Sequence, residues 1–414
     1  MRYDFTIGAK FDSHISVLAL ITLDFGLMRP YNTDMNVKIP RTIKKSIVSA
    51  LRESNKVMIL YGPRQVGKTT LAEDIFSNWD KSVLRISADE RRYIDVLSSR
   101  DSTKLKSLVA GYDLLFVDEA QRVPDIGINL KILHDQMPDL KILVTGSSSL
   151  DLANQVREPL TGRTQTYTLY PISFMELSDL FNTFELDSQL DERLVYGSYP
   201  EVFSMANRTQ REDYLYEIGN AYLYKDILEL SSMKNSYRIH DLLRMLAYQV
   251  GSEVSRLEIG TALGMSKETV GNYIDLLEKS FVIFRLPGFS RNLRKEISRN
   301  DKIYFHDLGI RNMVIDNFKP LNQRNDVGAL WENFLIIERL KKLAYSRIHS
   351  QTYFWRTYTG AELDYVEDRG GKLFGYEFKY GGKPAKCPIA WSQTYPDSGY
   401  EFINRDNYLD FVIG

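Results

Sequence analysis

Residues 62–70 read Gly62-Pro63-Arg64-Gln65-Val66-Gly67-Lys68-Thr69-Thr70. This is the G-x-x-x-x-G-K-[ST] spacing at every defined position. Glycines let such a loop curl so that backbone N–H groups turn inward toward phosphates. Lys68 would reach the β- and γ-phosphates, and the Thr69 hydroxyl would bind Mg²⁺. The flanks agree. An apolar run, VMILYG (57–62), leads into the loop and TTLAEDIF follows it, so the loop opens a helix whose N-terminal dipole end favours anions. A second pair lies downstream, where LLFV runs into Asp118 and Glu119. An apolar strand ending in two carboxylates delivers them to the edge of a parallel sheet where ligands bind. Asp118 would hold Mg²⁺ through water, and Glu119 would polarise the attacking water as general base. The chemistry these residues share is hydrolysis of ATP with Mg²⁺.

Two further positions follow from the next strand, KILVTGS (141–147). It ends in Thr145-Gly146-Ser147, where a small polar side chain, Ser147 being the one taken forward, would orient the attacking water, or else is an ordinary polar strand end. Arg157 and Arg163 come next, and an arginine near the γ-phosphate would stabilise transition-state charge. It would come from this chain or from a neighbour in a homo-oligomer; a surface salt bridge is the other reading. Arg163 is the candidate taken forward.

These residues need a scaffold. The runs VMILYG, SVLRISA (82–88), LLFVDEA (114–120), KILVTGS and TYTLYPIS (166–173) alternate with amphipathic stretches. Near-continuous apolar strands separated by helices predict a parallel sheet covered on both faces. The chain has 414 residues, which predicts several domains. We place an extension at 1–35, the phosphate-binding core at 36–173, a helical lid and linker at 174–235, a winged-helix domain at 236–310 and a last domain at 326–414. Net charge is −1, so any nucleic-acid site must be a local patch rather than a global field. One cysteine, Cys387, excludes an internal disulfide, and a reduced cytoplasm is the expected location. The run ISVLALITL (15–23) is shorter than a bilayer span and is followed by Asp24. Neither a membrane anchor nor an export signal is expected there.

GPRQVGKTT, LLFVDEA, KILVTGSSS, LTGR and PISFMEL together resemble prokaryotic AAA-type ATPases of the archaeal-ATPase-like group. In that group an N-terminal ATPase is fused to a C-terminal domain of unknown function. The similarity runs from about Ile39 to the C-terminus. It implies a nucleotide-dependent switch or motor, with PISFMEL opening the helical lid.

Arg256 to Gly264 and then Met265 to Leu277 predict a helix-turn-helix, with Ser266 capping the second helix. Val270, Ile274 and Leu277 share its buried face, and Lys267, Glu268, Gly271, Asn272 and Asp275 point outward. SFVIFRL and KIYFHD then enclose a loop carrying Arg291, Arg294, Lys295 and Arg299, which resembles a wing. A basic wing beside such a helix is how winged domains meet DNA, although winged modules also serve as protein contacts.

In the last domain two strands flank the turn EDRGGK. The period of two puts Glu377 and Lys379 on one face. Asp364 followed by Glu377-x-Lys379 resembles the PD-(D/E)xK nuclease fold, with Glu332 matching the helical acid some members add. That resemblance implies Mg²⁺ held by Glu332, Asp364 and Glu377, with Lys379 activating water. A structural salt bridge would leave the same pattern. The expected whole is an α/β chain: a P-loop parallel sheet with a helical lid, a winged helix-turn-helix, and a nuclease-like α/β C-terminal domain. Its expected function is ATP hydrolysis coupled to DNA binding or processing. The alternative is a nucleotide-controlled switch whose C-terminal domains bind protein partners without cleavage.

Overall fold

The computed structural model describes residues 38–147, 159–220, 236–290 and 300–414. The expected extension at 1–35, Arg157, and the wing cations Arg291, Arg294, Lys295 and Arg299 lie outside these. The first unit starts with α1 (Ile43–Glu53), β1 (Val57–Tyr61), α2 (Lys68–Phe76), β2 (Val83–Ser87), α3 (Arg91–Leu97) and α4 (Ser102–Val109). It continues through β3 (Leu114–Asp118), α5 (Ile126–Gln136), β4 (Lys141–Gly146) and β5 (Thr164–Thr168). The strands lie in the order β2-β3-β4-β1-β5 and every pairing is parallel. Every residue of β1 is buried, and so are Leu114 to Val117 of β3. A central strand with helices on both faces has no solvated side, so its sequence is apolar throughout rather than alternating.

The fifth strand begins and ends earlier than the run TYTLYPIS suggests. It stops at Thr168, and the Leu169 N–H donates to the Tyr61 carbonyl at 2.8 Å as the chain leaves the sheet. Pro171 cannot donate to a ladder. Ser173 then closes a capping box with Glu176, which starts α6 (Phe174–Leu177).

Beyond it come α7 (Thr183–Tyr196), α8 (Arg208–Ile218), α9 (Ser236–Tyr248), α10 (Arg256–Leu263) and α11 (Lys267–Lys279). The antiparallel pair β6 (Ile283–Leu286) and β7 (Lys302–Phe305) and then α12 (Leu308–Val314) follow. Gly264 turns between α10 and α11 at φ 63°, and the Ser266 hydroxyl accepts the Thr269 N–H at 3.1 Å. Val270, Ile274 and Leu277 are buried as expected. Gly271 is buried too, not outward: a Cβ there would lie 3.4 Å from Arg256 Nη1, because α10 packs across that side of α11.

The last unit is α13 (Val327–Tyr345), β8 (Gln351–Arg356), β9 (Glu362–Arg369), β10 (Lys372–Phe378), α14 (Ile389–Thr394), β11 (Gly399–Ile403) and α15 (Tyr408–Val412). Its sheet order is β11-β10-β9-β8, with β11 parallel to β10 and the other pairings antiparallel. Gly370 and Gly371, at φ 61° and 91°, form the tight turn between β9 and β10. Two consecutive positive φ angles make a hairpin turn whose twist matches its strands, and glycine adopts them without a Cβ clash.

Helix α13 is fastened to the segment leaving β5. Glu338 accepts the Phe174 N–H at 2.7 Å, Lys341 donates to the Ile172 carbonyl at 3.2 Å, and the Tyr345 hydroxyl accepts the Tyr170 N–H at 3.1 Å. A single apolar core runs from Ile172 through α7–α13 to Val412. No helix among the described residues is long and apolar enough to cross a membrane.

Candidate nucleotide-binding site

The phosphate loop is shaped by what its glycines avoid. A Cβ on Gly62 would lie 2.3 Å from the Leu169 carbonyl oxygen, so only glycine lets β1 exit beside the segment after β5. Gly67 adopts φ 94° at the N-cap of α2, a left-handed conformation glycine takes without strain. Lys68 is 5% exposed, and its Nζ donates to the carbonyls of Gly62 at 3.0 Å and Pro63 at 2.9 Å. Burial pulls its ammonium down to about 8, while Glu119 and Asp118 act to hold it up.

Thr69, Asp118, Glu119 and Ser147 come together at this edge. The Thr69 hydroxyl donates to Asp118 Oδ2 at 2.8 Å, and the Thr145 hydroxyl donates to Asp118 Oδ1. The same Thr145 oxygen accepts the Glu119 N–H at 3.1 Å. Glu119 has φ 53°, in the left-handed region that non-glycine residues enter rarely. Gln121 Nε2 donates to Glu119 Oε2 at 2.5 Å and to Ser147 Oγ at 3.0 Å. Ser147 therefore reaches the acid through Gln121, and Thr145 is the strand-end hydroxyl that touches the acidic pair.

Two contributors escaped the sequence reading, and of the strand-end pair Thr145 and Ser147 it is Thr145 that touches the acids. Gln121 lies two residues past Glu119 and is brought back by a short 3-10 turn (Ala120–Arg122). Arg41, far upstream, carries no local signal at all. Its Nη1 donates to the Val66 carbonyl inside the loop at 2.9 Å and its Nε to Glu176 at 2.9 Å, while Nη2 donates to the Tyr170 carbonyl.

Arg163 is elsewhere. The carbonyl of Arg163 accepts the Val57 N–H at 2.8 Å, at the entry end of β1. The phosphate loop leaves from the other end, about 13 Å away at roughly 3.3 Å per residue. The side chain pairs with Asp135 at 2.8 Å. The expectation that Arg163 assists the phosphate site of its own chain is corrected: parallel strands place it on the opposite edge.

The C-terminal acids are neighbours without forming a metal cage. Extending the β9–β10 register sets Asp364 opposite Glu377. Yet among the described residues no group of three or more His, Cys, Asp or Glu is arranged to hold a metal ion. This corrects the expected Glu332, Asp364 and Glu377 metal set. Glu377 pairs with Lys379 at 2.7 Å and Asp364 accepts the Phe378 N–H at 2.8 Å. Glu332 is bound by Lys302 and Tyr304. Burial raises all three carboxyl groups above the usual range.

Comparison with known proteins matches three family models along the chain. A family described as an AAA domain matches residues 54–178. Domains of unknown function, DUF8612 and DUF4143, match 187–321 and 327–389. The uncharacterized proteins Rv2008c of Mycobacterium tuberculosis and Mb2031c of Mycobacterium bovis are each 30% identical over 333 residues, spanning 80% of this chain and 71% of theirs. MJ1544 of Methanocaldococcus jannaschii is 25% identical, spanning 75% of this chain and 72% of its own. Among solved structures, the Walker-type ATPase PABY2304 of Pyrococcus abyssi matches 70% of this chain and 99% of its own, with a TM-score of 0.48 and 15% identity.

Proposed function

This chain belongs to the family of the two mycobacterial relatives and carries an AAA domain, and on that footing we propose that it binds ATP and hydrolyses it with Mg²⁺. The observation that carries the reading is the convergence of the Thr69 hydroxyl, the Asp118 carboxylate and the Thr145 hydroxyl beside the loop 62–70. Thr69 Oγ1 and Asp118 Oδ2, 2.8 Å apart, are hard oxygen donors suited to Mg²⁺. The ion, when bound, neutralises phosphate charge and polarises the γ-phosphoryl group. Backbone N–H groups of the loop 62–70, Pro63 excepted, would cradle the phosphates, with Lys68 supplying the buried positive charge. Glu119 is the base: it takes the proton of the attacking water as the oxygen–phosphorus bond forms and the bond to ADP breaks. Thr145 fixes its backbone and Gln121 its carboxylate, and Ser147 steadies Gln121. Arg163 would serve only the site of a neighbouring copy.

The nucleotide state passes to the C-terminal units through Arg41, which joins the Val66 carbonyl to Glu176 and to the segment that α13 grips. The helix pair α10–α11 supports DNA as the load. Arg285 of β6 argues for the protein-switch reading instead, because Asp275 and Glu278 of α11 bind it and answer its charge within the unit. The order α13-β8-β9-β10-α14-β11 supports a nuclease-like core, and its paired acids argue against cleavage. The test is ATP turnover by the purified chain with and without single- and double-stranded DNA. A rate unaffected by DNA removes the DNA reading and keeps the ATPase; no turnover under any condition removes both.

A further inference from the structure

The acid cluster of the last domain holds a cation already. Glu332 Oε1 accepts Lys302 Nζ at 3.1 Å and the Tyr304 hydroxyl at 2.5 Å. Both donors come from β7, which belongs to the preceding domain. The Lys302 side chain is 12% exposed and its Nζ lies 5.5 Å from the Phe354 ring centroid. Its backbone is held on two sides, by Leu286 in β6 and by a bridge to Glu253. Lys302 therefore has little freedom to swing away.

We infer that Lys302 is the resident cation of the Glu332–Asp364–Glu377 cluster, standing where a divalent metal would need to bind and locking β7 to α13. Seating Mg²⁺ or Mn²⁺ would require breaking the Lys302–Glu332 pair. That would strand a buried ammonium, and breaking a buried pair is strongly destabilising. Lys379 does the same service for Glu377 at 2.7 Å, and Asp364 has the Phe378 N–H. Burial pulls the Lys302 ammonium down, and Glu332 and Asp364 more than offset it, so it stays charged. The C-terminal acids are thus an interdomain lock built from ion pairs, and this assignment stands independently of the ATPase reading.

Mn²⁺ titration of the nucleotide-free full chain, followed by electron paramagnetic resonance and calorimetry, tests it. Wild type and Asp364→Asn should bind the same number of ions, and any ion bound should disappear in Asp118→Asn, which removes the nucleotide-site ligand. Lys302→Met should either gain one Mn²⁺, lost again when Asp364→Asn is added, or melt about 5 °C lower or more. In the latter case adding Glu332→Gln should recover part of the loss, because the carboxylate that Lys302 pairs with directly is then neutral. The inference is overturned if Asp364→Asn lowers the wild-type Mn²⁺ count by one. It is equally overturned if Lys302→Met neither gains an ion nor loses stability.

Discussion

The two acidic clusters of this chain differ in who answers their charge. At the edge of the parallel sheet, Asp118 receives hydroxyls from Thr69 and Thr145, and Glu119 receives an amide from Gln121. These donors are neutral dipoles. In the last domain, Glu332 and Glu377 each receive an ammonium, from Lys302 and Lys379. A carboxylate oriented by neutral donors keeps its charge available to a cation that comes and goes. A carboxylate paired inside a protein has its charge spent on holding two elements together. Lists of residue types do not separate these cases, since both clusters hold acids, a lysine and a hydroxyl.

The largest expected effect lies in the open cluster. Glu119→Gln should retain ATP binding and lower turnover by about 10²–10⁴-fold, the range for removing a general base. Lys68→Ala should weaken both binding and turnover. Wild-type turnover in Glu119→Gln would take the role of base away from Glu119, and with it the distinction drawn between the clusters. Radiolabelled or fluorescent ATP binding, measured beside steady-state hydrolysis, separates the two effects.

How much of this was legible beforehand follows from where each signal sits. The loop 62–70 and the strand end at Asp118 are contiguous spellings of a local geometry, so periodicity and spacing expose them, and the parallel sheet with them. Thr145 and Gln121 are close to those motifs, but their roles depend on a strand end and a 3-10 turn that fold them back. Arg41 and Lys302 are different in kind. Each acts on groups far away in sequence, Arg41 on Val66 and Glu176, Lys302 on Glu332, and nothing around either residue marks it. The same limit misplaced Arg163, whose nearness in sequence to β4 says nothing about which edge of the sheet it occupies.

Arg41 ranks next. Glu176 is fully buried and accepts Arg41 Nε at 2.9 Å, so Arg41→Ala leaves a buried carboxylate without its cation. A loss of about 3–5 kcal/mol in chemical denaturation is expected. Arg41→Lys should recover part of the stability while still raising KM for ATP, because a lysine cannot reach Val66, Tyr170 and Glu176 with one planar fork. A lysine variant with wild-type KM would restrict Arg41 to a structural role.

A smaller and pH-dependent effect belongs to the joint between the two clusters. His306 directly follows β7 and stacks on Tyr170 with ring centroids 5.7 Å apart. Burial lowers it from 6.5 to about 3, with Lys341 adding to the same direction. A depressed histidine stabilises the fold above its unfolded value of about 6.5, and that contribution is lost as pH falls toward about 3. Stability should decline across this window with a slope of at most about 1.4 kcal/mol per pH unit, and His306→Asn should flatten the decline. An identical slope in the variant would assign the acid sensitivity to other groups.

The smallest effect is expected at Arg163. Its pair with Asp135 is more than a third exposed on both sides, and exposed pairs contribute about 0–1 kcal/mol. Arg163→Ala should therefore melt within about 2 °C of wild type. At concentrations where the chain is monomeric, its turnover should match wild type, since the side chain lies at the far edge from its own phosphate loop. Any loss that emerges only as the protein is concentrated would come from a neighbour's site. Mixing Arg163→Ala with Lys68→Ala then decides the direction of transfer: the only intact phosphate loops in the mixture belong to Arg163→Ala chains, and the only intact Arg163 side chains belong to the other variant. Recovery of turnover in the mixture assigns Arg163 to catalysis across a subunit boundary. No recovery, with neither variant depending on concentration, leaves Arg163 as a surface ion pair.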